Sequence, residues 1–86
     1  MKSEWTTNYE GNEIKITNNW FSGEKLFVNN ELQGEQLNFI TPSNMTGSLI
    51  DKSGNKLDVK TNISGLFSVS CRLFIDNKKI TLQQTT

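Results

Sequence analysis

The chain has 86 residues, nine Lys or Arg, nine Asp or Glu, and no His. That length allows one domain and not two, and a formal charge of zero offers no general pull toward nucleic acid or an anionic membrane. Alanine, the best helix former, is absent, whereas eleven asparagines and six glycines supply turn residues, so helices are disfavoured and turns are plentiful.

Apolar and polar residues alternate with a period of two, the pattern of half-buried antiparallel strands. Strands are predicted over 4–9, 12–18, 24–29, 31–33, 36–40, 45–51, 55–61, 66–76 and 78–83. In the second, Ile14 and Ile16 share one face while Glu13, Lys15 and Thr17 take the other. Leu26 and Val28 form the same kind of pair, as do Leu57 and Val59, and Ile80 and Leu82. In "LFSVSCRLFI" the alternation puts Phe67, Val69, Cys71, Leu73 and Ile75 on one face. Asn29-Asn30 and Asp76-Asn77 tolerate positive φ and predict two-residue type I′ hairpins. Asp51 to Asn55 reads as a longer hairpin loop with Gly54 in the left-handed position. "TPSN" (41–44) holds the only proline and marks a loop or the start of an edge strand, and the terminal "QQTT" is expected to fray. No apolar run approaches the roughly 20 residues of a membrane helix. "MKSEWTTNYEGN" lacks the apolar stretch of a signal peptide, so a cytoplasmic location is expected. The expected fold is all-β: one domain over 1–86, an antiparallel β-sandwich or flattened barrel of seven to nine short strands.

The chain echoes itself. "GNEIKITNN" (11–19) returns as "GNKLDVKTN" (54–62), and "LFVNN" (26–30) as "LFIDN" (73–77). The offsets are 43 and 47 residues, a difference that a loop absorbs. An internal duplication, with pseudo-repeats at 9–33 and 52–82, would produce this order. So would the narrow choice of residues that a tight hairpin allows.

The run "GNEIKITNNWFSGEKLFVNNELQGE", closed by "CRLFIDNKKI", resembles a family of small uncharacterised bacterial β-domains. Trp5, Gly11, Asn18, Trp20, Gly23, Glu24 and Leu26 carry the likeness, whereas Asn29-Asn30 and Asp76-Asn77 stand where that pattern has Asp-Gly. The resemblance implies an all-β fold and brings no activity or site residue with it.

Few residues suggest chemistry. Cys71 is the sole cysteine, so no internal disulfide forms, and without His no Cys–His pair can activate it; its strand phase predicts a buried small hydrophobe. The usual zinc ligands are missing, and no calcium-loop spacing or phosphate loop occurs, so neither metal nor cofactor is expected. Glu10 with Glu13, or Glu31 with Glu35, could pair as acid and base, but nothing in the sequence perturbs either; solvated surface charge is the simpler reading. Asn44-Met-Thr and Asn62-Ile-Ser fit the glycosylation pattern and read as products of an Asn- and Thr-rich composition.

The aromatics remain. Phe27 and Phe74 are opposite in phase to Leu26/Val28 and Leu73/Ile75, so they form either a second core layer, the expected reading, or a partner surface. The function expected is a non-catalytic binding module for a protein or glycan, with Trp5, Tyr9, Trp20, Phe27 and Phe74 as candidate contacts. The alternative is a structural protein that forms a homodimer through an edge strand, 36–40 or 45–51, or through an aromatic patch. An enzyme ranks last, and neither nucleic acid nor membrane is an expected partner.

Overall fold

A computed structural model describes residues 2–19, 22–36, 43–65 and 69–85. They form nine strands: β1 (Lys2–Tyr9), β2 (Asn12–Asn19), β3 (Gly23–Val28), β4 (Glu31–Gln36), β5 (Ser43–Ile50), β6 (Lys56–Ser64), β7 (Ser70–Ile75), β8 (Lys78–Ile80) and β9 (Gln83–Gln84). Sheet A has the order β4-β3-β2-β1-β9 and sheet B the order β5-β6-β7-β8. All pairings are antiparallel. Sheet B is a meander, as are β1 to β4 of sheet A, and the chain changes sheet between β4 and β5 and again between β8 and β9, which adds beside β1.

The inner faces carry the alternating apolar residues. Trp5, Ile14, Ile16, Leu26 and Val28 from sheet A meet Met45, Leu49, Val59, Ile63, Leu73 and Ile75 from sheet B in one buried cluster. Full burial of each such side chain is worth about 1.5–3 kcal/mol, which is what holds two short-stranded sheets together.

The expected hairpins have the backbone their residues suggested. Asn29 and Asn30 have φ of 53° and 67°, and Asp76 and Asn77 have 53° and 63°. A third tight reversal at Glu10 (48°) and Gly11 (83°) joins β1 to β2. Gly54 (86°) takes the left-handed position in the 51–55 loop. There one carboxylate oxygen of Asp51 accepts from the backbone of Ser53 and Asn55, at 2.9 and 2.8 Å.

Three expectations need correction. Residues 31–36 form one strand, where a break at Gly34 was expected; Gly34 sits inside β4 because another strand passes too close for a side chain. Residues 37–40 of the expected 36–40 strand lie outside the described residues, as do 66–68 of the expected 66–76 strand. The expected 78–83 strand divides, because the chain leaves sheet B after Ile80 and rejoins sheet A at Gln83. The C-terminal segment therefore does not fray at Gln83 and Gln84, which pair with Thr6 and Trp5, and the Thr85 N–H donates to the Glu4 carbonyl at 2.8 Å.

The echo also takes a different alignment in space. The Asn29 N–H donates to the Glu13 carbonyl, and the Asp76 N–H to the Asp58 carbonyl. Ile14 faces Val28, and Val59 faces Ile75. By strand pairing Ile14 thus corresponds to Val59, two residues beyond its sequence match Leu57. A slide of two leaves every side chain on its own face, so the alternation does not reveal it.

One edge closes through side chains. The register shift in β4 opposite Leu26/Phe27 re-aims Gln33, whose Oε1 accepts from the Ser48 N–H of β5 at 2.7 Å. Gln36 Nε2 donates to the Asn44 carbonyl (3.3 Å) and Asn12 Nδ2 to the Ile50 carbonyl (2.8 Å). Two glycines permit this approach. A Cβ on Gly47 would lie 2.6 Å from Gln33 Oε1 and 3.3 Å from Leu26 Cδ2; one on Gly34 would lie 3.1 Å from Met45 Cβ.

Gly47→Ala is expected to cost about 1–3 kcal/mol by overpacking, and Gln33→Ala about 1 kcal/mol for the lost bond. The double variant should cost less than the sum, because removing Gln33 relieves the contact the new methyl makes. Urea unfolding of the four proteins checks this; strict additivity would mean that the two residues do not meet.

Asn29 and Asn30 should separate on mutation. Asn30→Gly should be neutral, since glycine reaches positive φ freely. Asn29→Gly should cost about 1–2 kcal/mol, because its side chain accepts from the Glu13 N–H (2.9 Å) and donates to Asn12 Oδ1 (2.9 Å). Thermal melts of both variants decide it.

Candidate functional site

The polar seam leaves a cleft of about 320 Å³ at the end of the β4–β5 edge, lined by residues that include Asn12, Asn29, Glu31, Gln33 and Ser48 over Val28 and Leu49. Most of its amide groups are already engaged. Asn12 Nδ2 donates to the carbonyls of Tyr9 and Ile50, and Asn12 Oδ1 accepts from Asn29. Gln33 Oε1 serves Ser48. The cleft is chiefly the outside of a structural joint.

A buried carboxylate lies in the core-facing phase of β3. Glu24 is 3% exposed, accepts from Asn18 Nδ2 at 2.9 Å and accepts from the Ser43 hydroxyl. No ion pair involves it among the described residues. Its charge also reaches Cys71. Burial, and secondarily Glu24, pushes the Cys71 thiol from its ordinary value of 9.0 up to about 12. Cys71 is half-buried where full burial was expected, and it packs with Val69 against the core. Such a thiol stays protonated and is a poor nucleophile.

The outer faces differ in charge. On sheet A, Lys2, Lys15 and Lys25 balance Glu4, Glu13 and Glu35, with Lys25 and Glu35 4.0 Å apart. On sheet B, Lys56, Lys60, Arg72 and Lys79 face outward against Asp58. Phe74 lies between Lys60 and Lys79 on the neighbouring strands, with Arg72 two residues along β7. Two of these cations bond to neutral oxygens. Lys60 Nζ donates to Asn77 Oδ1 (3.4 Å), and Arg72 Nη1 donates to Asn62 Oδ1 (3.2 Å) and Ser64 Oγ (3.5 Å). Asn62 Nδ2 continues the ladder to Asn44 Oδ1 at 3.0 Å.

The candidate aromatics do not converge. Trp5 is core, 4% exposed, and cannot be a contact residue in this fold; Tyr9 packs half-buried against the same core. Trp20 lies outside the described residues. Phe27 and Phe74 are half-buried on the outer faces of different sheets, so they share no surface. Neither is a second core layer, because among the described residues nothing forms a third layer over either sheet. Lys15 Nζ sits 5.1 Å from the Phe27 ring centroid, and no described cation sits over Phe74. Glu31 and Glu35 are not an acid–base pair, since Glu35 lies beside Lys25 and Glu31 faces Val28 across the hairpin. Glu10 instead accepts from the Lys52 N–H at 2.9 Å. No cluster of three or more His, Cys, Asp or Glu that could hold a metal occurs among the described residues, and no described helix is long and apolar enough to cross a membrane.

Sequence reasoning passed over Lys60, Arg72 and Lys79. Counting charge by strand phase rather than over the chain would have found them. Comparison with protein-family models, curated proteins and solved structures finds no match.

Cys71 generates a test of its surroundings. The native state holds the thiol proton to about pH 12, whereas the unfolded chain releases it near 9.0. Between those values the native state binds more protons, so stability should fall as pH rises, and be fully present below pH 9. Denaturant melts of wild type and Cys71→Ala across that range isolate the contribution. Parallel pH profiles would show that Cys71 is not perturbed.

Proposed function

We propose that the chain is a non-catalytic binding module for a protein or glycan ligand, and that the outer face of sheet B is its contact surface. One observation carries the reading: Phe74 lies half-buried on the outer face beside Lys60 and Lys79, with Arg72 two residues along its strand, and among the described residues no cation sits over its ring and no carboxylate is in ion-pair contact with those cations. An aromatic ring flanked by cations without carboxylate partners is well suited to contact with an anionic or polar ligand. The protonated Cys71 thiol supports a non-catalytic reading.

A homodimer through the outer face of sheet A is the second reading. Leu32 is 47% exposed there and pairs across the hairpin with Phe27. Pairing through the 45–51 edge is less favoured, since side chains of Gln33, Gln36 and Asn12 already cap backbone groups of β5.

Amide-resolved NMR titration with a neutral oligosaccharide, an acidic oligosaccharide and an extended peptide tests the proposal. Shifts are expected at Thr46, Lys60, Arg72, Phe74 and Lys79 with at least one probe. Phe74→Ala should weaken that binding at least about tenfold. The variant should stay folded, losing roughly 1–2 kcal/mol rather than the 3–5 of a fully buried ring. Shifts confined to the seam cleft, or none, would overturn the proposal. Concentration-dependent broadening at Lys15, Phe27 and Leu32 would favour the dimer.

A further inference from the structure

We infer that the ligand of the sheet B face is an acidic oligosaccharide, a chain of hydroxyl-bearing rings carrying anionic groups at intervals. This rests on the assignment of that face as the contact surface, and it follows from three features found together there.

The first is charge. The chain is neutral overall, but four cations face outward on sheet B against Asp58. Asp58 pairs with Ser48 toward the hairpin end, away from Arg72. Lys60 and Lys79 thus flank Phe74 with Arg72 nearby, and among the described residues the hydrogen bonds of Lys60 and Arg72 go to amide and hydroxyl oxygens. Asp58 stands two residues from Lys60 on this face, so a ligand anion meets least opposition on the Arg72 and Lys79 side of Phe74.

The second is the ring. Phe74 offers an apolar face between strands about 5 Å apart, the scale on which one sugar ring can lie with its C–H side down and its anionic group toward a flanking lysine. The third is the amide ladder. Asn62 and Asn44 join Arg72 across three strands, and Asn44 is exposed with its amide nitrogen unused among the described residues. Amides with Thr46 and Ser64 hydroxyls can donate to and accept from ring hydroxyls at once.

Other polyanions fit less well. Single-stranded nucleic acid is held by successive aromatic platforms, whereas this face has one among the described residues. An acidic peptide would gain most by adding a strand to an open edge. The β5 edge that borders this face is taken by the seam amides, and the other edge, β8, is only three residues long, a short template for an added strand.

Calorimetric and NMR titrations should use four probes: hexagalacturonate, its methyl ester, a sulfated heparin hexasaccharide and a thymidine hexanucleotide. Hexagalacturonate or the heparin fragment should bind at sheet B and at least about tenfold more tightly than the ester; which of the two binds tells carboxylate from sulfate. Raising salt from about 50 to 200 mM should weaken binding several-fold. Lys60→Gln and Arg72→Gln should each weaken it several-fold at unchanged melting temperature, while Lys25→Gln on sheet A should not. Equal affinity for the ester, tighter binding of the hexanucleotide, or no saturable binding of either acidic sugar overturns the inference. If a peptide or neutral sugar still perturbs sheet B, the binding-module reading stands without it; if no probe perturbs sheet B, both fall.

Discussion

The hydrogen bond from the Ser48 N–H to Gln33 Oε1 marks the constraint on which the architecture turns. Two meanders with apolar inner faces would stack without it, but their edges would be open. An open edge is a row of unsatisfied backbone groups that invites pairing with another chain. Here β4 and β5 are consecutive in sequence, yet they belong to different sheets and do not form a ladder. Gln33, Gln36 and Asn12 supply the missing partners as side-chain amides. The arrangement requires a bulge to aim Gln33, and it requires Gly34 and Gly47 to let the strands approach. On the far side the chain itself crosses over, from β8 in sheet B to β9 in sheet A. The two sheets are therefore joined by side-chain amides along one seam and linked by the chain's crossover along the other.

Closure frees the outer faces from structural duty. Sheet A uses its face for internal balance, with matched charges and a lysine lying over Phe27. Sheet B sets half-buried Phe74 between Lys60 and Lys79, with no described cation over its ring. The two phenylalanines occupy like places beside like hairpins, but their neighbours differ in charge, and the proposal of a contact face on sheet B rests on that difference. The buried groups follow the same logic. Glu24 and Cys71 both point inward, so the carboxylate must be held by Asn18 and Ser43, and the thiol is kept protonated.

Much of the fold was legible from residues alone. Period two assigned Ile14, Ile16, Leu26, Val28, Leu73 and Ile75 to one side, and all are buried. The Asn-Asn and Asp-Asn pairs announced their positive φ, because few residues can reverse a right-twisted ribbon in two steps. Gly34 misled, since a glycine within a strand reads as a break unless the strand that crowds it is known. The candidate site was less legible. Aromatic residues were the visible signal, and the largest of those described, Trp5, is core.

The sequence by itself determined which residues face inward and where the chain must turn tightly, because strand pleat and turn sterics act over a few neighbouring residues. Tertiary structure alone decided which edges meet, that Gln33 reaches Ser48, that Gln83 and Gln84 join β1 rather than fray, and that Ile14 aligns with Val59. It also decided that a neutral chain carries its excess of cations on one face. Those outcomes depend on pairing between residues distant in sequence. A period of two fixes a side chain's face but leaves its partner strand and its register, in steps of two, undetermined.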